Sequence, residues 1–471
     1  MKTTALSILA LAALPLLTAC TEFDNETLAP TQDMTTELTK KPEVKRLRYF
    51  EEINFNDIPA KHQLTGKGVR VTIMGEAVDA SHPDLTQRVV KQYNSFSEKN
   101  KVIAGTAKQP YGFDKMGLGD GHGTHIAGTI AAECDDIGIQ GVACGATLDV
   151  YDIGAYDSSE SFSIKGWGDT HEFERLIASF SKSLKDITRR GESKITTGSF
   201  NIESPLIRFK QGGPLQGLSI TEIINHIEND VEDVDDFFKQ SLFELENAAD
   251  EKYLKDIYEK NGEDESIVMG TLLTKSKQWA ELEDAIKDYQ QSGGVYLVTE
   301  SNNIFDRTSL LNAMPSISDK VDKDLWLSIV MVMPEKINEV SNEAELKEAM
   351  KGAYITPINS CGATAKDYCL VTPSYLVFST MTEKLRESSE LYTVQGRFHQ
   401  SFDGHSMGAP MVAATLALMQ EYNANKDFGY TMKDLVKILK DSANRSFPKY
   451  DPLKHGRGML DVSAALEMMN Q

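Results

Sequence analysis

The stretch Gly119-Asp120-Gly121-His122-Gly123-Thr124-His125-Ile126-Ala127-Gly128-Thr129-Ile130-Ala131-Ala132 limits what this chain can fold into more than any other. A polar, glycine-rich loop runs into a helix built almost entirely of small residues. Such a helix buries little side-chain surface of its own, so it is stable where neighbouring elements pack close against its backbone. The sequence therefore predicts an interior helix from about residue 122 to 133 in a layered protein.

Short apolar strand candidates recur at 69–74, 147–152, 195–200, 295–299 and 326–333, with helical stretches at 122–133, 171–187 and 276–290 between them. Strands alternating with helices imply βαβ units and a parallel sheet, an α/β fold. The chain closes with helical patterns over 406–421 and 431–442. Two further segments carry chemistry. Gly68 to Leu85 opens as a β-branched strand that Gly75 breaks, and ends in His82-Pro83-Asp84-Leu85. Phe402-Asp403-Gly404-His405-Ser406-Met407-Gly408-Ala409-Pro410-Met411-Val412 places a serine just before an apolar helix, with Pro410 expected in its first turn.

Together these segments resemble those of the subtilisin-like serine proteases, the subtilases. The 121–129 block is nearly the family's Gly-His-Gly-Thr-His-Val-Ala-Gly-Thr, and 404–412 is similar to its Gly-Thr-Ser-Met-Ala-x-Pro-x-Val, with His405 and Gly408 as departures. The resemblance covers roughly residues 50 to 470. It implies a three-layer fold, a mostly parallel central sheet flanked by helices. It also implies Ser406 as nucleophile and His122 as general base, since a serine hydroxyl needs an imidazole to take its proton. His125 is expected to be structural. Asn302, with Asn303 as a register alternative, is the candidate oxyanion donor at the end of the apolar run Val295 to Thr299.

One family residue is missing. Counting back seven from His82, where the family places its catalytic Asp, lands on Gly75, and Glu76 stands one residue later. Three readings follow: Glu76 orients His122 in place of the Asp, the enzyme is weak, or the chain is a pseudoprotease that binds peptides or proteins without cutting them. Alternation of side chains along a strand counts against Glu76 unless the strand has already ended. A rival lies in Gly404-His405-Ser406-Met407-Gly408, which fits the G-x-S-x-G nucleophile elbow of lipases and esterases, although that reading leaves 119–132 unexplained.

Residues 1–19 read as an export signal: Lys2, an apolar run from Ala5 to Leu17, and Leu17-Thr18-Ala19-Cys20, which resembles the bacterial lipobox. Cys20 is then the lipidated residue, residues 20–48 a flexible tether, and 49–471 the peptidase domain. A bacterial lipoprotein held at the outer membrane or cell surface is the expectation, anchored by lipid and not by a spanning helix. The interval from Cys20 to about residue 50 is too short for a folded propeptide. The four remaining cysteines pair most economically as Cys134–Cys144 and Cys361–Cys369, with a metal site as the competing idea. Cys361 to Cys369 also resembles a segment of autotransporter subtilases, but no β-rich barrel-forming region follows.

The net charge of −21 argues against a nucleic-acid partner, and 41% apolar residues with 25% charged excludes wholesale disorder and a polytopic membrane protein. Much of that charge is local: 222–265 holds sixteen acidic and four basic residues. With apolar positions at helical spacing, it reads as an acidic helical insertion within about 205–290. It is either a solvated face, a lid, a docking surface for a basic partner, or a calcium site. The EF-hand pattern is not met, and no metal or other cofactor is assigned. Protein or peptide substrates are the expected partners.

Overall fold

The computed structural model describes residues 48–95, 101–102, 119–135, 138–153, 170–200, 277–299, 309–340, 342–357, 359–382, 392–394 and 396–471. Its centre is an eight-stranded sheet. In chain order the strands are β1 (Arg70–Gly75), β2 (Val89–Asn94), β3 (Lys101–Val102), β4 (Thr147–Asp152), β5 (Ile195–Gly198), β6 (Val295–Thr299), β7 (Trp326–Met331) and, after the small pair β8 (Met333–Pro334) and β9 (Tyr354–Ile355), β10 (Cys369–Thr372). Their spatial order is β10-β7-β6-β5-β1-β4-β2-β3, all neighbours parallel except the edge pair β2–β3.

Beyond the first residues of β1 and β4, the inner strands are buried because alternate residues feed two different cores. Val71, Ile73, Leu148, Val150, Leu297, Leu327 and Leu370 face one side, with the helices α1 (Gly119–Ala131), α5 (His405–Lys426), α6 (Met432–Ser442) and α7 (Val462–Met468). Met74, Tyr151, Tyr296, Val298, Trp326 and Val330 face the other, with α2 (Thr170–Arg190), α3 (Lys277–Gln291) and α4 (Leu310–Ile317). The result is the three-layer α/β arrangement that the alternation of strands and helices predicts.

Two predicted strands are shorter than the apolar runs suggest. The 195–200 strand stops at Gly198, and 326–333 divides into β7 and β8. The predicted 122–133 helix begins earlier, at Gly119, so its glycines are helical. Their reason is proximity: a Cβ on Gly123 would overlap the Ala77 carbonyl oxygen, and one on Gly128 would overlap the hydroxyls of Ser379 and Thr380. The close packing expected of a small-residue helix is therefore realised against two separate segments.

The acidic segment 222–265 lies outside the described residues. Lys277–Gln291, at the end of the expected insertion, is α3, which packs along α2 with Trp279, Leu282, Ile286 and Tyr289 buried.

Candidate active site

Within the sheet, β4, β2 and β3 lie to one side of β1 and β5, β6, β7 and β10 to the other. The carboxyl end of such a strand is where an open α/β sheet forms its binding crevice. Gly75 closes β1 there with φ of 151°, a conformation that side chains built on L-amino acids rarely adopt. An ideal Cβ on Gly75 would sit 3.7 Å from the ring of Phe200. The strand ends at this residue, so the alternation that would carry the next side chain away from α1 no longer applies.

Glu76 turns to α1, and its Oε1 lies 2.5 Å from Nδ1 of His122, with both side chains buried. The following backbone is fixed at several points. The Val78 N–H donates to Gln92 Oε1 at 2.7 Å, while Gln92 Nε2 donates back to the Val78 carbonyl at 3.2 Å. The Asp79 N–H donates to Thr124 Oγ1 at 2.8 Å. Burial raises the Glu76 carboxyl above its ordinary value, against the pull of the His122 imidazole and the Gly123 N–H. A carboxylate on Nδ1 fixes which tautomer the imidazole holds and leaves Nε2 as the ring's basic atom.

His125, one turn further along α1, has a different role. Its Nε2 bonds the Val377 carbonyl at 2.8 Å and its ring stacks on Phe402. Burial drives its pKa down to about 3, so it is neutral and structural. Val377 and Phe402 pair across an antiparallel sheet of β11 (Val377–Thr380), β12 (Tyr392–Val394) and β13 (Arg397–Phe402). β13 delivers the chain to Ser406 four residues later, and α5 then packs against α1.

Ser406 occupies the second position of α5 and is buried. Gly404, with φ of 146°, turns the chain into the helix, and its N–H donates to the Ser374 carbonyl at 3.0 Å. From His405 to Met419 the helix is buried on every side, which is why that stretch is mostly apolar all round. Pro410 sits at the sixth helical residue, not in the first turn where the sequence suggested a proline would be tolerated. Proline has no N–H, so it cannot supply the i+4 bond to the Ser406 carbonyl. Ser199, at the end of β5, donates its hydroxyl to that carbonyl at 3.2 Å instead.

The two departures in the serine block have packing reasons. A Cβ on Gly408 would overlap the Thr372 hydroxyl and press on Ser374. His405 points into the interior, where its Nδ1 accepts the Met331 N–H at 2.8 Å and its Nε2 lies 3.3 Å from the Asn359 side chain. Burial lowers its pKa to about 3.

Asn302, Asn303 and Cys20 lie outside the described residues. Both expected disulfides are present, Cys134–Cys144 tying the end of α1 to the turn before β4, and Cys361–Cys369 closing the segment ahead of β10. The nucleophile-elbow reading of Gly404-Ser406-Gly408 is corrected. An elbow serine follows a strand of the central parallel sheet, whereas β13 is the middle strand of a separate antiparallel one. Among the described residues no cluster of three or more His, Cys, Asp and Glu side chains offers a metal site, and no helix is long and apolar enough to cross a membrane.

Sequence reasoning missed Gln92, Ser199 and the group beneath the loop after Glu76. There Asp84 bonds His399 at 2.9 Å and Arg397, and Arg397 reaches Asp135 at 2.8 Å. Only His82-Pro83-Asp84-Leu85 hinted at it.

The Subtilase family model (Peptidase_S8) matches residues 66–181, which span β1, Glu76 and the whole of α1. Over those residues the chain is similar to the subtilases. Among curated relatives, fervidolysin of Fervidobacterium pennivorans is 39% identical over 87 residues, 18% of this chain and 11% of that protein. Subtilisin E of Bacillus subtilis (strain 168) is 36% identical over 105 residues, 22% of this chain and 23% of that protein. These matches cover less than a quarter of either relative's length. The crystal structure of fervidolysin, described as a keratinolytic enzyme related to subtilisin, matches 89% of this chain and 45% of its own with a TM-score of 0.54 at 16% identity. The prenylagaramide maturation protease PagA matches 88% of this chain and 98% of its own, with a TM-score of 0.50 at 13% identity. At those identities the likeness is one of fold, and it extends the subtilase architecture beyond the segment matched in sequence.

Proposed function

We propose that this protein is an exported serine endopeptidase whose triad is Ser406, His122 and Glu76. The observation that carries the reading is the bond between Glu76 and His122 Nδ1. It supplies a buried carboxylate to the imidazole although the family's aspartate position is Gly75. In the acylation step His122 Nε2 takes the proton of Ser406 Oγ as Oγ bonds the substrate carbonyl carbon. The imidazolium then gives that proton to the leaving amine as the peptide C–N bond breaks. Water, deprotonated by the same imidazole, attacks the acyl-enzyme and restores Ser406. Glu76 holds the tautomer and offsets the charge of the imidazolium without taking the proton. The N-terminus of α5 offers its dipole to the developing oxyanion, and Asn302 is the proposed side-chain donor.

A lipid on Cys20 would place the enzyme on a membrane surface in an oxidising compartment. The two disulfides support that setting. The acidic segment 222–265 would then select a basic partner or substrate region.

The test is labelling of purified protein with a fluorophosphonate, together with hydrolysis of peptide anilides. Wild type should label and cleave, Ser406→Ala should do neither, and Glu76→Gln should label far more slowly. A wild-type protein that is folded and unlabelled would replace the enzyme with a peptide-binding pseudoprotease.

A further inference from the structure

Residues 48–52 are helical and bring two ionisable side chains into the interior, Arg48 at 5% exposure and Glu52 at 8%. Glu52 Oε1 accepts hydrogen bonds from the hydroxyls of both Tyr354 and Tyr375, each at 2.9 Å. Its other oxygen faces Arg48 at 3.9 Å, and the Arg48 guanidinium lies 4.1 Å over the Tyr375 ring. A buried carboxylate and guanidinium cost several kcal/mol in lost hydration unless they are well engaged. The catalytic scheme above gives this group no task.

Tyr375 connects it to the nucleophile. The residues on both sides of this tyrosine hold the approach to Ser406. The Ser374 carbonyl accepts the Gly404 N–H, the Ser374 side chain borders Gly408, and the Leu376 N–H donates to the Asp403 carboxylate. Leu376 is held with φ of 49°, a conformation unusual for a branched side chain, so this strap depends on its surroundings.

We propose that Glu52 is a positioning residue for the nucleophile: through Tyr375 it fastens the 374–376 strap that sets Asp403 and Gly404 ahead of Ser406. The N-terminal segment thereby acts as a clasp on the catalytic loop, a role that rests on Ser406 being the nucleophile.

The clasp is also placed to respond to pH. Burial pushes the Glu52 carboxyl up to about 7, against Arg48 and the two tyrosine hydroxyls, which pull it down. The groups facing it are Arg48 and Glu51 from its own segment, Tyr354 from β9, and Tyr375 from the strap. Tyr354 has a second acceptor for its single proton, the Met350 carbonyl at 3.1 Å, whereas the Tyr375 hydroxyl bonds Glu52. When Glu52 is ionised both hydroxyls are drawn to it, so the strap is firmer above neutral pH than below.

Two matched variants separate positioning from general stability. Tyr354→Phe and Tyr375→Phe each remove one hydrogen bond to the same oxygen, but only Tyr375 belongs to the strap. The expected result is about 5–10-fold slower fluorophosphonate labelling for Tyr375→Phe, the effect of one lost hydrogen bond, with Tyr354→Phe within about twofold of wild type. Amide exchange at Leu376 and Gly404 should accelerate in Tyr375→Phe alone. In Glu52→Gln, the ratio of wild-type to variant labelling rates should rise through pH 7. Equal behaviour of the two tyrosine variants, or a flat ratio, would overturn the clasp. If wild type itself does not label, the endopeptidase reading fails, and amide exchange still decides whether Glu52 holds the strap.

Discussion

Returning the family's aspartate to its usual place should not restore a subtilase triad in this protein. The perturbation is Gly75→Asp, made alone and together with Glu76→Ser, which rebuilds the family's Asp-Ser pair. The backbone at 75 has φ of 151°, and a Cβ there aims at the Phe200 ring at 3.7 Å. A side chain in that conformation costs about 1–3 kcal/mol, and its carboxylate would start from the Phe200 side of the strand while Glu76 starts from the His122 side. Meanwhile Glu76→Ser removes the acceptor of His122 Nδ1. In subtilisin, loss of the orienting aspartate lowers kcat by about 3 × 10⁴, which converts to about 6 kcal/mol. We expect Glu76→Ser to lose about 10³–10⁴ in kcat and the double variant to recover less than about tenfold of it. The assay is kcat for a peptide anilide, with circular dichroism and thermal melts to establish that each variant is folded. A double variant as active as wild type would refute the reasoning, because it would show that the backbone at 75 relaxes readily enough to swing the introduced carboxylate onto His122.

Three further outcomes are expected. Burial holds His125 and His405 near pKa 3 and His82 near 4, all below the value an unfolded chain would give. Each stays neutral in the folded protein while the unfolded chain takes up a proton, so stability present above pH 6.5 should be lost as pH falls towards 3–4; urea melts from pH 7.5 to 4.5 that show no decline would contradict this. Gly408→Ala, which installs the family residue, should cost about 1–3 kcal/mol through overlap with Thr372, and Thr372→Ala in the same chain should return most of it, as read from denaturation midpoints. Cys134→Ser with Cys144→Ser should lower stability by about 3 kcal/mol, the loop-closure value for a separation of ten residues; an unchanged melting temperature would contradict this.

The fold was legible because its strands are apolar runs that alternate with helical patterns, and because α1 is too poor in bulk to sit anywhere but inside. The disulfide partners were legible from separations of ten and eight residues. Element ends were not. Gly198 and the break at Val332 depend on what the neighbouring strands offer, which no local pattern records. At the candidate site, His122 and Ser406 stand out in their sequence blocks, whereas Glu76 was ambiguous for a physical reason. Strand alternation sends residues 74 and 76 to the same face, and only the positive φ of Gly75 frees the latter from that rule. Gln92 and Ser199 were invisible because their work is to bond a distant backbone, and neither residue type announces such a partner. The Glu52 clasp was invisible for the same reason, since Arg48, Glu52, Tyr354 and Tyr375 meet only after more than 300 residues of chain have folded.

The bond from Ser199 to the Ser406 carbonyl makes the opening of α5 mechanically part of the sheet. In an uninterrupted helix, the carbonyl of the second residue is secured by the helix itself, and fraying of the first turn is a local event. Here Pro410 removes that option, and the Ser199 hydroxyl ties the turn that carries Ser406 to the end of β5. Local opening at Ser406 should therefore share the high opening energy of the central strands, unlike the ordinary low-energy fraying of a helix end. The missing amide thereby turns a normally soft place in a helix into one expected to open late.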